Sequence, residues 1–229
     1  MKTLGLIGGT TWVSTIDYYK LINQQINKKL GGLNSAKMLL YSVNFAEFNP
    51  PTDPNEWGEL TKKFSDISIT LESAGADCIV FCANTPHIIA DNIQQIIQIP
   101  IVNIAEETAK VVSNNNIKKV GLLGTRITME QPFYKEKLSK YGITTVIPEF
   151  EDRKFIHSSI LDEMAKEIFK KETKQEYLKI INKLIQDGAE GIILGCTEIP
   201  ILIKQEDSPV PLFDTTLIHA SAIVNFAIS

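Results

Sequence analysis

Two cysteines share a local pattern, because each follows a short apolar run and is followed by small polar residues. Cys82 precedes Asn84 and Thr85, and Cys196 precedes Thr197. A thiol has a reference pKa of about 8.5, which nearby dipoles or cations can lower toward neutrality. Two such thiols on opposite faces of an acidified carbon could exchange the roles of acid and base. The chemistry that this pattern predicts is inversion of a stereocentre.

The polar residues after each cysteine predict a carboxylate-binding turn. Hydroxyl, amide and backbone N–H donors near helix N-termini suit an anionic group, and holding a substrate carboxylate acidifies its α-hydrogen. A carbon within near-attack distance of both thiols would place the sulfurs roughly 6–8 Å apart. The third cysteine, Cys78, lies inside an apolar run. It is interpreted as a small buried hydrophobic residue.

The surrounding sequence alternates short apolar runs with longer amphipathic segments. The runs are 4–7, 38–43, 78–81, 120–123 and 192–194, and the amphipathic segments include 15–30 and 56–73. This alternation predicts βαβ units around parallel sheets. Ser14 is predicted to cap the first of these helices, Gly31-Gly32 to end it, and Pro86 to lie in the first turn of another.

Four landmarks recur in the same order at offsets of 111 to 116 residues. Gly-Leu-Ile-Gly at 5–8 matches 121–124, Gly-Ala-Asp at 75–77 matches 188–190, Cys82 matches Cys196, and 99–103 matches 210–214. Collinear matches of this kind indicate two homologous halves. We therefore predict one domain from 1–103 plus 214–229 and a second from 104–213.

Each half is predicted to be an open α/β sheet. Ligands in such sheets bind beyond the carboxyl ends of the strands, where both cysteines fall. The predicted architecture is two pseudo-symmetric open parallel-sheet domains with the active site in the cleft between them.

The composition narrows the class of partner. A formal net charge of −4 leaves no basic surplus for nucleic acid or an anionic membrane. No segment approaches the ~18 apolar residues of a spanning helix. We expect a cytoplasmic protein with reduced thiols and a small-molecule partner. His87, His157 and His219 show no zinc-ligand spacing with the cysteines, so no metal site is predicted.

The chain resembles the aspartate/glutamate racemase family, and the aspartate branch in particular. The resemblance rests on Gly-Leu-Ile-Gly-Gly-Thr (5–10), Cys-Ala-Asn-Thr-Pro-His (82–87), Gly-Leu-Leu-Gly-Thr (121–125), Gly-Cys-Thr-Glu (195–198) and Asp-Thr-Thr (214–216) with His219. It implies two α/β domains, a homodimer and an amino-acid substrate. It also implies no pyridoxal phosphate or metal, and Cys82 and Cys196 as the two bases.

The resemblance also implies a set of substrate-binding residues. Those expected at the α-carboxylate are Asn84, Thr85 and Thr197, and those expected to line the cleft are Gly9, Thr10, Thr125 and Thr128. The glutamate branch has histidine where this chain has Glu198, which favours the aspartate branch.

Glu198 has an electrostatic consequence of its own. Its carboxylate predicts that Cys196 rests as the thiol and Cys82 as the thiolate. The alternative is a glutamate that only complements a helix N-terminus. His87 and His219 could tune or orient the site, although histidines in such positions are more often structural.

The sequence leaves substrate identity open. Strict aspartate racemases tend to carry an arginine after the second strand, and segment 43–51 contains none. Lys166 and Arg126 are the alternative side-chain cations. Aspartate is the predicted substrate, with a broad-specificity racemase as the alternative.

A related decarboxylase would keep one cysteine, whereas hydantoin racemases and maleate isomerases keep two. A small-molecule-binding protein would need no matched thiols, and a thiol–disulfide oxidoreductase would need the two Cα atoms within about 7 Å.

Overall fold

The computed structural model describes residues 1–48 and 57–229. Positions 49–51 of the segment without arginine, and the first residue of the helix predicted over 56–73, lie outside the described residues. The chain divides into two compact units, and each is described by itself. Unit 1 comprises Met1–Asn103 with His219–Ser229, and unit 2 comprises Ile104–Ile218.

Unit 1 contains a parallel sheet of strand order β2-β1-β3. Its elements in chain order are β1 Leu4–Gly8, α1 Trp12–Leu30, β2 Met38–Ser42, α2 Trp57–Ser73, β3 Cys78–Phe81, a 3₁₀ turn Thr85–Ile89 and α3 Ala90–Gln94. Beyond β3, Ile101 forms a parallel bridge with Ile79. The sheet therefore has a rudimentary fourth position on that side.

Unit 2 contains a parallel sheet of order β5-β4-β6-β7. Its elements are α4 Ile104–Asn114, β4 Lys119–Gly124, α5 Arg126–Glu130, α6 Pro132–Ser139, β5 Thr144–Val146, α7 Phe150–Asp162, α8 Lys171–Gln186, β6 Gly191–Gly195, α9 Ile199–Leu202 and β7 Leu212–Asp214. Helix α10, Thr215–Ile228, begins in unit 2 and continues into unit 1. The two sheets repeat one strand order, which confirms the duplicated parallel α/β fold.

The strand predictions are confirmed, but the predicted start of the first helix is wrong. Helix α1 begins at Trp12, and its N-cap is Thr11 rather than Ser14. Thr11 has an extended backbone, with φ −139° and ψ 144°, and its Oγ1 accepts the backbone N–H of Ser14 at 3.3 Å. Ser14 is the third residue of the helix, where it serves as the partner of the cap. The helix ends at Gly31, as predicted, with φ 70°.

The middle strands of each sheet are apolar on both faces because helices cover both faces. In unit 1, alternate residues of β3 enter different clusters. Cys78 and Val80 pack with α1 and α10, and Ile79 and Phe81 pack with α2 and α3. Cys82 continues the first of these rows. The buried, apolar position of Cys78 agrees with its interpretation as a core residue.

A buried tyrosine bonds to a polar partner in each unit. In unit 1 the Tyr18 hydroxyl lies 2.8 Å from Nδ1 of His219, and in unit 2 the Tyr134 hydroxyl lies 3.2 Å from Oγ1 of Thr108. Tyr134 follows Tyr18 by 116 residues and His219 follows Thr108 by 111, which are the offsets of two sequence landmarks. The duplication therefore extends to buried hydrogen bonds.

Across residues 1–48 and 57–229, none of the helices combines the length and the apolar character that a membrane crossing requires.

Candidate active site

Cys82 lies at the carboxyl end of β3 in a fully buried position. Its backbone N–H donates to the carbonyl of Ile7 at 2.9 Å, which continues the pairing of β3 with β1. The side chain packs in the apolar cluster beneath α1 and α10. Burial raises the pKa of the Cys82 thiol well above its usual value. Burial thus disfavours the thiolate form that the sequence predicts for Cys82.

The chain after Cys82 turns sharply rather than entering a long helix. Residues Thr85–Ile89 form a 3₁₀ turn with Pro86 in its first positions, as predicted for that proline. Asn84 is buried and Thr85 is half-buried. The ring of His87 donates from Nδ1 to the carbonyl of Ala83 at 2.9 Å. Two of the three residues predicted to bind a carboxylate, Asn84 and Thr85, thus lie together at one tight turn.

Ser14, which the sequence interpretation did not place in the site, connects α1 to the Cys82 turn. Its Oγ lies 3.3 Å from the carbonyl of Cys82 and accepts from Thr11 Oγ1 at 2.9 Å. One sequence signal could have identified it. The pair Thr11 and Ser14 recurs as Thr125 and Thr128 at an offset of 114 residues, which is the offset of the two cysteines.

Gly9 and Thr10 form a turn that only glycine can make at its first position. Gly9 has φ 86°, and a Cβ there would lie 2.1 Å from the carbonyl oxygen of Val43. Thr15 Oγ1 accepts the N–H of Gly9 at 2.8 Å. The Oγ1 of Thr10 is buried and has no hydrogen-bond partner among the residues that the structure describes. A buried hydroxyl in that state is available to a bound polar group.

Cys196 follows β6 in unit 2, where a carboxylate accompanies it. The Cys196 Sγ–H donates to Oε2 of Glu198 at 2.9 Å, and the Thr197 hydroxyl donates to the same oxygen at 2.8 Å. Cys196 is 8% exposed and Glu198 is 1% exposed. Burial first, and the Glu198 charge second, raise the pKa of the Cys196 thiol. The resting state expected for Cys196, the thiol, agrees with this direction.

The turn after β4 is a capped helix start. Thr125 is the N-cap of α5, and its Oγ1 accepts the N–H of Thr128 at 3.3 Å. The two hydroxyl oxygens are 3.2 Å apart. Thr128 is fully buried beneath Gly124, where an added Cβ would lie 3.0 Å from its side chain. The structure thus gives Thr128 a structural role in holding this turn.

The two predicted side-chain cations are engaged at the surface of unit 2. Lys166 is 61% exposed and its Nζ lies 3.9 Å from Asp162. Arg126 is 54% exposed and its Nε lies 3.4 Å from Oε2 of Glu130. Within unit 2, the hydrogen bonds and ion pairs of these two side chains do not include Cys196.

His219 has a structural role in unit 1. Its Nε2–H donates to the carbonyl of Val102 at 2.7 Å, so Nδ1 accepts the hydroxyl of Tyr18. Burial lowers the pKa of His219 to about 3, which keeps the ring neutral. The ring of His87 stacks edge-on against that of His219, with centroids 5.5 Å apart. His219 therefore fixes the packing beneath the Cys82 turn.

The described residues contain no group of three or more His, Cys, Asp or Glu side chains that could hold a metal ion. Two sets of predicted residues are brought together, one in each unit. Unit 1 assembles Cys82, Asn84, Thr85 and His87 with Ser14, and unit 2 assembles Cys196, Thr197 and Glu198.

Comparisons with known proteins identify the family of the chain. Residues 7–223 match the profile of the Asp/Glu/Hydantoin racemase family. The chain belongs to that family and is an amino-acid racemase, an isomerase.

Three relatives illustrate the breadth of the family. A Yersinia pestis protein whose crystal structure carries an Asp/Glu racemase assignment is 44% identical, with a TM-score of 0.93 over 100% of both chains. An aspartate racemase homologue from Pyrococcus horikoshii OT3 is 36% identical, with a TM-score of 0.86 over 100% of both chains. The broad specificity amino-acid racemase RacX of Bacillus subtilis is 25% identical over 97% of this chain and 96% of its own length.

Proposed function

We propose that this racemase inverts the α-carbon of aspartate by a two-base mechanism in which Cys82 and Cys196 act on opposite faces of the substrate. The observation that carries the proposal is the equivalence of the two thiols. β3 and β6 hold the same position beside β1 and β4 in their sheets, and each leads into a cysteine and a polar turn.

The proposed reaction removes one proton from the α-carbon and adds another proton to its opposite face. The thiolate of one cysteine removes the α-hydrogen and becomes a thiol. The pair of electrons left on the α-carbon is delocalised into the bound carboxylate. The thiol of the other cysteine then protonates the opposite face and becomes a thiolate. Because a buried thiolate is poorly solvated, it is a stronger base than one in water. The α-ammonium group of the substrate supplies a cation that favours the thiolate.

Hydrogen-bond donors at the two turns would hold the α-carboxylate. We assign this role to Asn84, Thr85 and Thr197, with the buried hydroxyl of Thr10 as a further contact. Donors held in place by the fold stabilise the charge that grows on the carboxylate as the α-proton leaves. The mechanism uses neither pyridoxal phosphate nor a metal. A homodimer and a cytoplasmic location belong to the same proposal, and light scattering would test the dimer.

A broad-specificity racemase is the second candidate, and the surface ion pairs favour it. A strict aspartate site needs a cation for the side-chain carboxylate, whereas Arg126 and Lys166 contact Glu130 and Asp162. The Bacillus subtilis relative bears the description of broad specificity, and the Pyrococcus horikoshii relative that of an aspartate racemase homologue.

Chiral chromatography over a panel of L- and D-amino acids, without added cofactor, tests the substrate. Aspartate should racemise fastest in both directions. Comparable rates with several neutral amino acids would select the broad-specificity alternative. No interconversion of any member, with tight binding of one, would replace the racemase with a binding protein.

Isotope labelling tests the two-base step. Early in a reaction in D₂O, the product should carry α-deuterium while the unreacted substrate stays protiated, because the second base delivers a solvent-derived proton. Equal early labelling of both enantiomers would contradict two separate bases.

A further inference from the structure

A thiol must lose its proton before it can act as a base. Burial favours the protonated form of both Cys82 and Cys196. A site with two thiols can donate a proton to either face of a substrate but can remove none. A carboxylate in contact with one of these thiols can accept that proton, and the structure places one against Cys196.

We propose that Glu198 and Cys196 form a dyad in which Glu198 takes the thiol proton whenever Cys196 acts as the base. This inference rests on the proposed two-base function. The carboxylate is already in place, since its Oε2 lies 2.9 Å from the Cys196 sulfur and accepts the thiol hydrogen. The Thr197 hydroxyl donates to the same oxygen at 2.8 Å and orients it toward the thiol. Glu198 is also almost fully buried.

The proton count of the dyad balances in both directions. With Cys196 as base, its proton moves to Glu198, the thiolate removes the α-hydrogen, and the dyad holds two protons while Cys82 gives one up. In the other direction the dyad starts with two protons, gives one to the substrate and keeps one, while Cys82 gains one. The three groups hold two protons before and after each turnover, and three while the substrate is the carbanion. A thiolate beside an ionised carboxylate, two buried negative charges 2.9 Å apart, never forms.

Other ionisable groups around Cys196 come from the helices packed against it. Tyr177 of α8 lies in the same cluster, and burial raises its pKa well above the usual value. Its hydroxyl bonds to Ser159 at 3.0 Å and stays neutral. Glu163 interacts electrostatically with Tyr177 and bonds to Lys170 and Thr173. Glu198 is therefore the carboxylate in contact with the reacting sulfur.

Glu198→Gln tests the dyad, because glutamine keeps the size and an accepting oxygen but cannot take a proton. The readout is the pH midpoint of iodoacetamide alkylation at each cysteine, measured by mass spectrometry. Removing the carboxylate charge should lower the Cys196 midpoint by about one pH unit or more and leave the Cys82 midpoint unchanged. Tyr177→Phe is the control, with no change at either cysteine expected.

Racemisation by the same variant should fall about 100-fold or more in kcat, with KM nearly unchanged. The combination is diagnostic, because a more acidic Cys196 would increase activity if the thiolate fraction alone mattered. An unchanged Cys196 midpoint, or full activity with a lowered midpoint, would overturn the dyad.

A second variant covers the case in which Glu198→Gln does not fold. Glu198→Asp keeps the charge but withdraws the carboxylate by one methylene, so the Cys196 midpoint should fall by less and kcat should drop. A wild-type kcat in the Glu198→Asp variant would contradict a catalytic role for the contact between the carboxylate and the Cys196 sulfur. The alkylation experiment needs no turnover, so it judges the dyad even if no amino acid is racemised, an outcome that would overturn the proposed function instead.

Discussion

The turns that carry Cys82 and Cys196 occupy equivalent positions but differ in charge. Both follow the strand beside the first strand of their sheet, and both thiols are buried. Cys82 faces an apolar cluster, whereas Cys196 donates to a buried carboxylate. The two enantiomers of a free amino acid have equal energy, but the groups on the two faces need not match. The two halves therefore share a cysteine at the same strand end, but the groups that set the proton affinity of its thiol differ.

The turns after β1 and β4 also occupy equivalent positions, and they too share one feature and differ in another. Each ends in a threonine N-cap, Thr11 or Thr125, whose hydroxyl bonds to the residue three positions later. Unit 1 inserts Gly9 and Thr10 between the strand and the cap, whereas Thr125 directly follows Gly124. The cap is shared by the two units, and the extra loop with its buried hydroxyl belongs to unit 1 alone.

The largest expected effect concerns the equivalence of the two thiols. Cys82→Ser and Cys196→Ser should each lower racemisation about 10²–10⁴-fold in both directions, because serine is a poor proton donor and acceptor at these positions. Polarimetry from each enantiomer measures it. Cys78→Ser is the matched control, with activity retained and stability lowered by about 1–3 kcal/mol. Near-normal activity of either single variant would contradict the functional equivalence of Cys82 and Cys196.

Gly9, in the inserted turn of unit 1, should be more sensitive to substitution than Gly75, although the two glycines have similar φ angles. Gly9 and Gly75 have φ of 86° and 93°, but an added Cβ would meet the Val43 backbone at Gly9 and open space at Gly75. Gly9→Ala should cost about 2–4 kcal/mol and Gly75→Ala about 1 kcal/mol. Urea unfolding measures both. Equal costs would mean that backbone conformation alone constrains Gly9.

The buried tyrosine pairs should differ in their response to pH. Because the pKa of His219 is about 3 in the folded protein and about 6.5 unfolded, the unfolded chain binds the extra proton between these values. Stability is then full above pH 6.5 and falls with decreasing pH, by roughly 2–3 kcal/mol between pH 7 and 4.5. His219→Gln should flatten this dependence in urea titrations.

The equivalent pair of unit 2 supplies the control. Thr108→Val, which removes the partner of Tyr134, should lower stability equally at both pH values, because a threonine hydroxyl does not titrate in this range. A wild-type pH dependence that persists in His219→Gln would contradict the assignment.

The smallest expected effect concerns the two helix caps. Thr11→Ala and Thr125→Ala should each cost about 1 kcal/mol, since each removes an acceptor for a free N–H of the first turn. Thermal unfolding of the two variants compares the units directly, and serine at the same positions should restore most of the loss. A much larger cost at Thr11 would show that its bond to Ser14, and through Ser14 to Cys82, matters beyond capping.

Local sequence was sufficient where a residue type dictates the backbone. Parallel strands buried on both faces need continuous apolar runs, so the five predicted runs coincide with strands. Gly31 ends α1 because glycine adopts a positive φ without strain. Ser14 was misplaced as a cap because serine and threonine are both favourable N-cap residues, and Thr11 stands only three residues earlier.

The family, the duplicated fold and the two thiols could be derived from the sequence by itself, because short motifs and a constant offset carry that information. Only the tertiary structure decided the state of these thiols. Proton affinity depends on burial and on the distance to neighbouring charges, which chain spacing does not specify. Cys82 was expected to be ionised, but its apolar surroundings raise the pKa of the thiol and favour the protonated form. The bond from Cys196 to Glu198 depends on how the chain turns after β6, and that turn places the carboxylate against the sulfur.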